Sequence, residues 1–204
     1  MIMIRAIIFD YGGVVANDVD PKIQKDIASE FGISLSDTKK AMKGLLGRYQ
    51  TGEINDDIFW KEFSNRTGKP LPQDYRKLWL DRYSKESRID NTITSLIRNL
   101  KSSRYRIALI SNTISPHAEY NSKNNRFSLF DVIILSSEVG RRKPDKHIYE
   151  LALEKLGIDA ESCVYIDDRK EHLLPAENLG MHTILYRDIS QLEKDLKTLG
   201  INIR

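Results

Sequence analysis

Apolar positions follow two different periods along this chain, and the change of period marks out its parts. Ile7, Ile8 and Phe9 form a short continuous apolar run, the pattern of a strand buried on both faces. The run stops at Asp10, and Gly12-Gly13 behind it allow a sharp turn. From Asn17 to Arg88 the pattern is helical. Ile23, Ile27 and Phe31 recur at i, i+4 and i+8, with Pro21 in the first turn and Gly32 as a C-terminal cap. Ser36 or Asp37 opens a second helix carrying Ala41, Leu45 and Leu46. Asn55 opens a third with Ile58, Phe59 and Phe63 inward, and Tyr75, Leu78, Trp79 and Tyr83 mark a fourth. Four helices are too many for one βαβ crossover, so they predict a small bundle inserted after the first strand.

From Asp90 onward strands and helices alternate. A helix with Ile93, Leu96, Ile97 and Leu100 leads to a strand at 106–110, which ends in Ser111-Asn112-Thr113. A polar helical segment and a strand at 131–135 follow, then Gly140-Arg141-Arg142-Lys143-Pro144 and a helix with Ile148, Tyr149, Ala152 and Leu156. The strand at 163–166 ends in Asp167-Asp168. A helix begins near Glu171 with Pro175 close to its first turn, and a strand at 183–186 precedes a last helix with Leu192, Leu196 and Leu199. Alternation of this kind predicts an α/β fold, a parallel sheet covered by helices on both faces.

Composition narrows the function without specifying it. The 204 residues suffice for one domain with a sizeable insertion, and 32 Lys and Arg interspersed with 29 Asp and Glu give a net charge of only +3. That balance argues against nucleic acid as a partner. Cys163 is the single cysteine, which excludes an intramolecular disulfide and a C-x-x-C site, and its place in an apolar strand predicts an inert thiol. The apolar N-terminal stretch is interrupted by Arg5 and ends at Asp10, too short and polar for a membrane helix. The expectation is a cytoplasmic protein, monomer or homodimer, with no membrane partner. No G-x-S-x-G, Walker-type loop or G-x-G-x-x-G is present.

Polar groups follow four of the strands: Asp10, Ser111 with Asn112, Lys143, and Asp167 with Asp168. In a parallel sheet those ends share one edge, so the groups can converge. Carboxylates gathered there repel, and a divalent cation is the natural resolution; oxygen-only ligands suit Mg²⁺ shared with a phosphate. Lys143 adds a positive charge and Ser111 a hydroxyl, so the set can neutralise a dianion while a carboxylate attacks it.

The set Asp10-Tyr11-Gly12-Gly13-Val14, Ser111-Asn112-Thr113, Lys143-Pro144 and Asp167-Asp168 resembles the four motifs of the haloacid dehalogenase (HAD) superfamily. The segments from Lys143 to Tyr149 and from Asp167 to Ala176 are similar to those of glucose-1-phosphate phosphatase-type members and of the N-terminal phosphatase domain of soluble epoxide hydrolase. The resemblance implies a HAD-like Rossmannoid core at 1–16 and 89–204 and a helical C1 cap at 17–88. It implies Asp10 as nucleophile, Ser111 and the Asn112 amide as phosphoryl binders, and Lys143 holding Asp10 and the phosphoryl group by charge. It implies Mg²⁺ on Asp10, the Gly12 carbonyl and Asp168, with Asp167 beside it. The expected activity is that of a phosphatase on a small phosphorylated metabolite, with a sugar phosphate favoured.

One position departs from the family pattern. Most of its phosphatases carry a second Asp two residues after the nucleophile, which protonates the leaving group; here that position is Gly12. Dehalogenases of the superfamily also lack that Asp, which opens a 2-haloacid dehalogenase reading through an aspartyl ester. They typically lack the paired acids too, and this chain has Asp167 and Asp168. A non-catalytic phosphoryl-ligand sensor is a third reading. Among the remaining residues, Arg142 is a candidate for an anionic substrate, and Tyr49 and Glu53 are candidates on a turn facing the site. His172 is read as a helix-surface or supporting group, and Trp60 and Trp79 as core of the helical insertion.

Overall fold

The computed structural model describes residues 3–203, so the ends of the expected core, 1–2 and 204, lie outside it. Its elements are β1 (Ala6–Phe9), α1 (Asp20–Glu30), α2 (Leu35–Met42), α3 (Leu45–Gln50), α4 (Asp56–Thr67), α5 (Leu78–Glu86) and α6 (Asn91–Ser102). After these come β2 (Arg106–Ser111), α7 (Ser115–Lys123), β3 (Val132–Leu135), α8 (Ser136–Val139) and α9 (Lys146–Leu156). The chain closes with β4 (Cys163–Asp167), α10 (Lys170–Asn178), β5 (His182–Leu185) and α11 (Ile189–Thr198).

The strands form one parallel sheet in the order β3-β2-β1-β4-β5. Side chains of β1 alternate between its faces. Ile7 and Phe9 join a cluster with Ile97, Leu100, Leu192 and Leu196, while Ala6 and Ile8 join another with Ile148, Tyr149 and Ala152. Helices therefore cover both faces, as the near-continuous apolar strands require.

Strand order reverses at β1, whose neighbours are β2 on one side and β4 on the other. The crevice beyond the C-terminal end of such a strand is where α/β sheets hold ligands. Register sets the height of each group there. Phe9 lies opposite both Leu109 and Ile166, so Asp10 is level with Asp167 on the neighbouring strand and one step short of Ser111.

Helices α1 to α5 pack around a third apolar cluster, with Ile23, Ile27, Leu45, Phe59, Trp60, Phe63 and Trp79 at its centre. There are five α-helices here rather than four. Gly44 takes φ +75°, which ends the expected second helix at Met42 and restarts it at Leu45. Ser34 caps α2, accepting from the Asp37 amide at 3.0 Å, so neither Ser36 nor Asp37 does. Ile58 faces solvent at 42% exposure, and Trp60 takes the inward place beside Phe59 and Phe63. Pro175 is the sixth residue of α10, beyond the first turn, and interrupts that helix's hydrogen-bond ladder once. Among the described residues no helix is long and apolar enough to cross a membrane.

Candidate active site

Asp10 and Asp167 end adjacent strands at one level, and both are buried. Such a pair needs a counter-charge. Lys143 supplies it: its Nζ lies 2.7 Å from Oδ1 of Asp10 and 2.8 Å from Oδ2 of Asp167, and the side chain is only 1% exposed. Asn112 fixes the backbone that carries this lysine. Its amide oxygen accepts from Lys143 N at 2.8 Å, and its amide nitrogen donates to Lys143 O at 3.0 Å.

The two acids are held differently. Asp167 accepts from Lys143, from the Tyr165 hydroxyl, and from the Arg169 amide at 2.9 Å, with His172 Nδ1 at 3.1 Å from both of its oxygens. An ionised carboxylate only accepts, so His172 presents its Nδ1 proton here. Burial alone would raise Asp167; the His172 hydrogen bond and the Lys143 charge outweigh it and hold the carboxyl below the usual range. Asp10 goes the other way. Burial raises it, Lys143 opposes, and the Asp167 charge adds to the rise. The Tyr11 amide donates to its Oδ1 at 2.6 Å.

Asp168 stands apart from this network. Its Oδ1 is buried and has no hydrogen-bond partner, and burial followed by the Asp167 charge raises its pKa. Gly13 makes room for it. A Cβ on Gly13 would lie 2.4 Å from Asp168 Oδ2, and the backbone there has φ +94°, so only glycine fits. Gly12 is different, with open space around a would-be Cβ.

A cavity of about 90 Å³ lies between the sheet edge and the helical layer. Asp10, Gly12, Ser111, Asn112, Arg142 and Lys143 line it, so the structure brings those six sequence candidates together. Asp167 does not line the cavity; it is fully buried and accepts from Lys143, Tyr165 and the Arg169 amide. Asp10, Asp167 and His172 each offer a ligand atom within 4.8 Å of the others, and Asp168, next in sequence, has an orphaned buried carboxylate oxygen; carboxylate oxygens of this kind suit a hard divalent cation.

Tyr49 and Glu53 are not at the cavity. The Tyr49 ring is buried in the helical layer, 4.9 Å from Phe59 centroid to centroid, with its hydroxyl on Asp56. Glu53 points to the surface and pairs with Arg48 at 2.8 Å. Their turn does approach the core, where Gly52 packs so closely on the Ser137 carbonyl that a Cβ would come within 2.5 Å. Gln50 is the residue of that turn that reaches the cavity, and its Oε1 is buried without a partner. His172 is buried, not on a helix surface, because its ring turns inward onto Asp167.

Other lining residues are not among the sequence candidates, His117, Asp20 and Arg169 among them. His117 of α7 stacks on Tyr83 at 3.9 Å, and burial lowers it to about 3, so it is neutral, with Nε2 unpartnered. Asp20 opens α1 at the rim, and Arg169 sits 3.6 Å from Asp18. For His117 and Gln50 the available signal is a polar residue on an otherwise apolar helix face; for Asp20 it is an acid beside the junction into the helical layer.

Known proteins place this arrangement. The chain is 28% identical over 220 residues to bifunctional epoxide hydrolase 2 of Sus scrofa, covering 98% of this chain but spanning 40% of that one. It is 26% identical over 195 residues to D-ribitol-5-phosphate phosphatase of Bacteroides thetaiotaomicron, covering 89% of this chain and 91% of the other. A HAD family enzyme of Bacteroides thetaiotaomicron, solved with magnesium and inorganic phosphate, matches with TM-score 0.73 and 25% identity over 93% of this chain and 98% of that one. Residues 7–186 match the haloacid dehalogenase-like hydrolase model, and with that span, the parallel sheet and the Asp10–Lys143–Asp167 edge, the chain belongs to the haloacid dehalogenase-like hydrolase family.

Proposed function

We propose that this hydrolase is a Mg²⁺-dependent phosphatase acting on a small polyhydroxylated phosphate monoester through an aspartyl-phosphate on Asp10. The observation that supports this is the orphaned, buried Oδ1 of Asp168, next in sequence to Asp167, which with Asp10 and His172 offers ligand atoms within 4.8 Å of one another; a metal-free dehalogenase has no use for such a carboxylate set. Asp10, the Gly12 carbonyl and Asp168 would hold the ion, and when bound it would neutralise phosphoryl charge.

The chain's own groups do the rest. Lys143 keeps Asp10 ionised and oriented, and its ammonium faces the same charge that the phosphoryl group brings. Ser111 and the Asn112 amide would bind phosphoryl oxygens at the end of β2. Helices α1 to α5 would act as a cap over the site, closing it from water. The unpartnered Gln50 Oε1, His117 Nε2 and Arg142 Nε are buried polar atoms awaiting partners, and hydroxyl groups of a sugar or polyol would supply them. The match to D-ribitol-5-phosphate phosphatase supports the same substrate class.

A panel of polyol and sugar phosphates, acetyl phosphate and 2-haloacids, each with Mg²⁺ and with excess chelator, tests the reading. Phosphate release that chelator abolishes is the expected result. Halide release that chelator does not affect would replace it with the dehalogenase reading, and binding without turnover would favour the sensor.

A further inference from the structure

An in-line displacement at phosphorus places the leaving oxygen opposite the nucleophile. Asp10 is on the sheet edge, so a phosphoryl group attached to it directs its leaving oxygen toward the helical layer. From residues 17–88 two acids, Asp18 and Asp20, line the cavity beside Asn17, Val19, Gln50 and Tyr83; Asp18 is paired with Arg169 at 3.6 Å, which leaves Asp20 as the acid with no ion pair among the described residues. Resting on the phosphatase reading, we infer that the Asp20 carboxyl is the proton donor to the leaving group, the task that Gly12 leaves open.

The surroundings of Asp20 suit that task. Its own amide donates to Asp18 Oδ1 at 3.1 Å, and Arg169 turns to Asp18 rather than to Asp20. The Asp20 carboxyl makes no ion pair or side-chain hydrogen bond among the described residues, although it is partly buried. Asp18 and Arg169 are the charged groups that face it, and Asp10, Arg142 and Lys143 share the cavity. Burial, with the Asp18 charge added and Arg169 opposing, pushes its pKa up to about 6. A carboxylate at the first turn of a helix would ordinarily be stabilised by the helix dipole, which lowers a pKa. A capping role alone therefore does not account for this acid, and a poised donor does.

The chemistry balances. The Asp10 carboxylate forms a bond to phosphorus as the phosphorus–oxygen ester bond breaks. The electron pair of that bond goes to the ester oxygen, which takes the Asp20 proton and leaves as an alcohol. The Asp20 carboxylate then takes a proton from water as that water attacks the aspartyl-phosphate, releasing phosphate and restoring both acids.

The test compares wild type and Asp20→Asn, both with Mg²⁺, on glycerol phosphate and on p-nitrophenyl phosphate, whose leaving group needs no proton. Loss of general acid catalysis should lower kcat/KM on glycerol phosphate by ~10²-fold or more, and on p-nitrophenyl phosphate at least ~30 times less. The wild-type profile on glycerol phosphate should fall on its alkaline side, and that limb should disappear in the variant. Equal losses on both substrates, or none on either, would overturn the assignment, with thermal melts and metal titrations showing whether fold and Mg²⁺ binding persist. A wild type inactive on every phosphate, acetyl phosphate included, would overturn the phosphatase reading itself and this role with it.

Discussion

Lys143 Nζ stands 2.7 Å from Asp10 Oδ1, a buried contact that favours the charged form of Asp10 against its burial. The same ammonium also holds Asp167, so one cation serves two acids. Lys143→Met should leave Asp10 with the Tyr11 amide alone against the Asp167 charge. Removing one partner of a buried ion pair costs about 3–5 kcal/mol, and turnover should be lost with it. The stability deficit should shrink as pH falls, because Asp10, already raised by burial, then takes up a proton and the repulsion ends. Urea melts at pH 5 and pH 8 measure this, and a deficit independent of pH would contradict it.

Asp167 and Asp168 are adjacent in sequence and should fail in opposite ways. Asp168→Asn removes a buried unpartnered charge, so the variant should melt at the wild-type temperature or above it, while its Mg²⁺ affinity falls by an order of magnitude or more. Asp167→Asn breaks bonds to Lys143, Tyr165 and His172, so it should lower Tm whether or not Mg²⁺ is present. Melts with and without the ion, together with calorimetric titration, separate the two. A larger Mg²⁺ defect in Asp167→Asn than in Asp168→Asn would reverse the assignment.

The sheet and its edge were legible because β1 and β4 are apolar runs that stop at acids, and a parallel sheet brings such ends to one side. The two roles within Asp167-Asp168 were not legible, since they depend on Lys143, Tyr165 and His172 arriving from other elements. The helical layer shows the same division. Its apolar positions gave its existence, but the break at Gly44 needs a backbone angle, and helical spacing admitted Ile58 where Trp60 is the residue that turns inward. Tyr49 was a reasonable candidate by position, yet on α3 the adjacent Gln50 is rotated toward the cavity and the tyrosine away from it.

Asp20 should cost the fold stability near neutral pH. Its folded-state pKa of about 6 lies above the ordinary value of 3.8, so the folded protein keeps a proton that the unfolded chain releases. Stability from this group therefore falls as pH rises from about 4 to 6, and above that the cost is fully present. A shift of this size corresponds to ~3 kcal/mol at most, and solvent access to the side chain reduces it to ~1–2 kcal/mol. Asp20→Asn should then be more stable than wild type at pH 8 and equal to it at pH 4. Denaturant melts at the two values decide the matter, and a variant less stable at pH 8 would show that the carboxylate is a structural cap.

Gly12 and Gly13 are neighbours with opposite tolerances, which allows the proton-donor role to be moved. At Gly13 a side chain would collide with Asp168, and the backbone there disfavours one. At Gly12 nothing lies within 4 Å of a Cβ and the backbone imposes no left-handed strain. Gly12→Asp therefore puts a carboxyl two residues after Asp10 at a position whose Cβ meets no neighbour. In an Asp20→Asn background it should recover at least ~10-fold of the kcat/KM lost on glycerol phosphate, a fraction of the 10²–10⁴ that general acid catalysis contributes. Gly12→Ala in the same background should recover nothing, because it adds the Cβ without the proton. The ratio of glycerol phosphate to p-nitrophenyl phosphate activity is the quantity to follow, since it cancels changes in phosphoryl binding. Recovery in the aspartate variant alone would show that the missing function is a proton at the leaving group. Equal recovery with alanine would show that the effect at Gly12 is one of backbone rigidity instead.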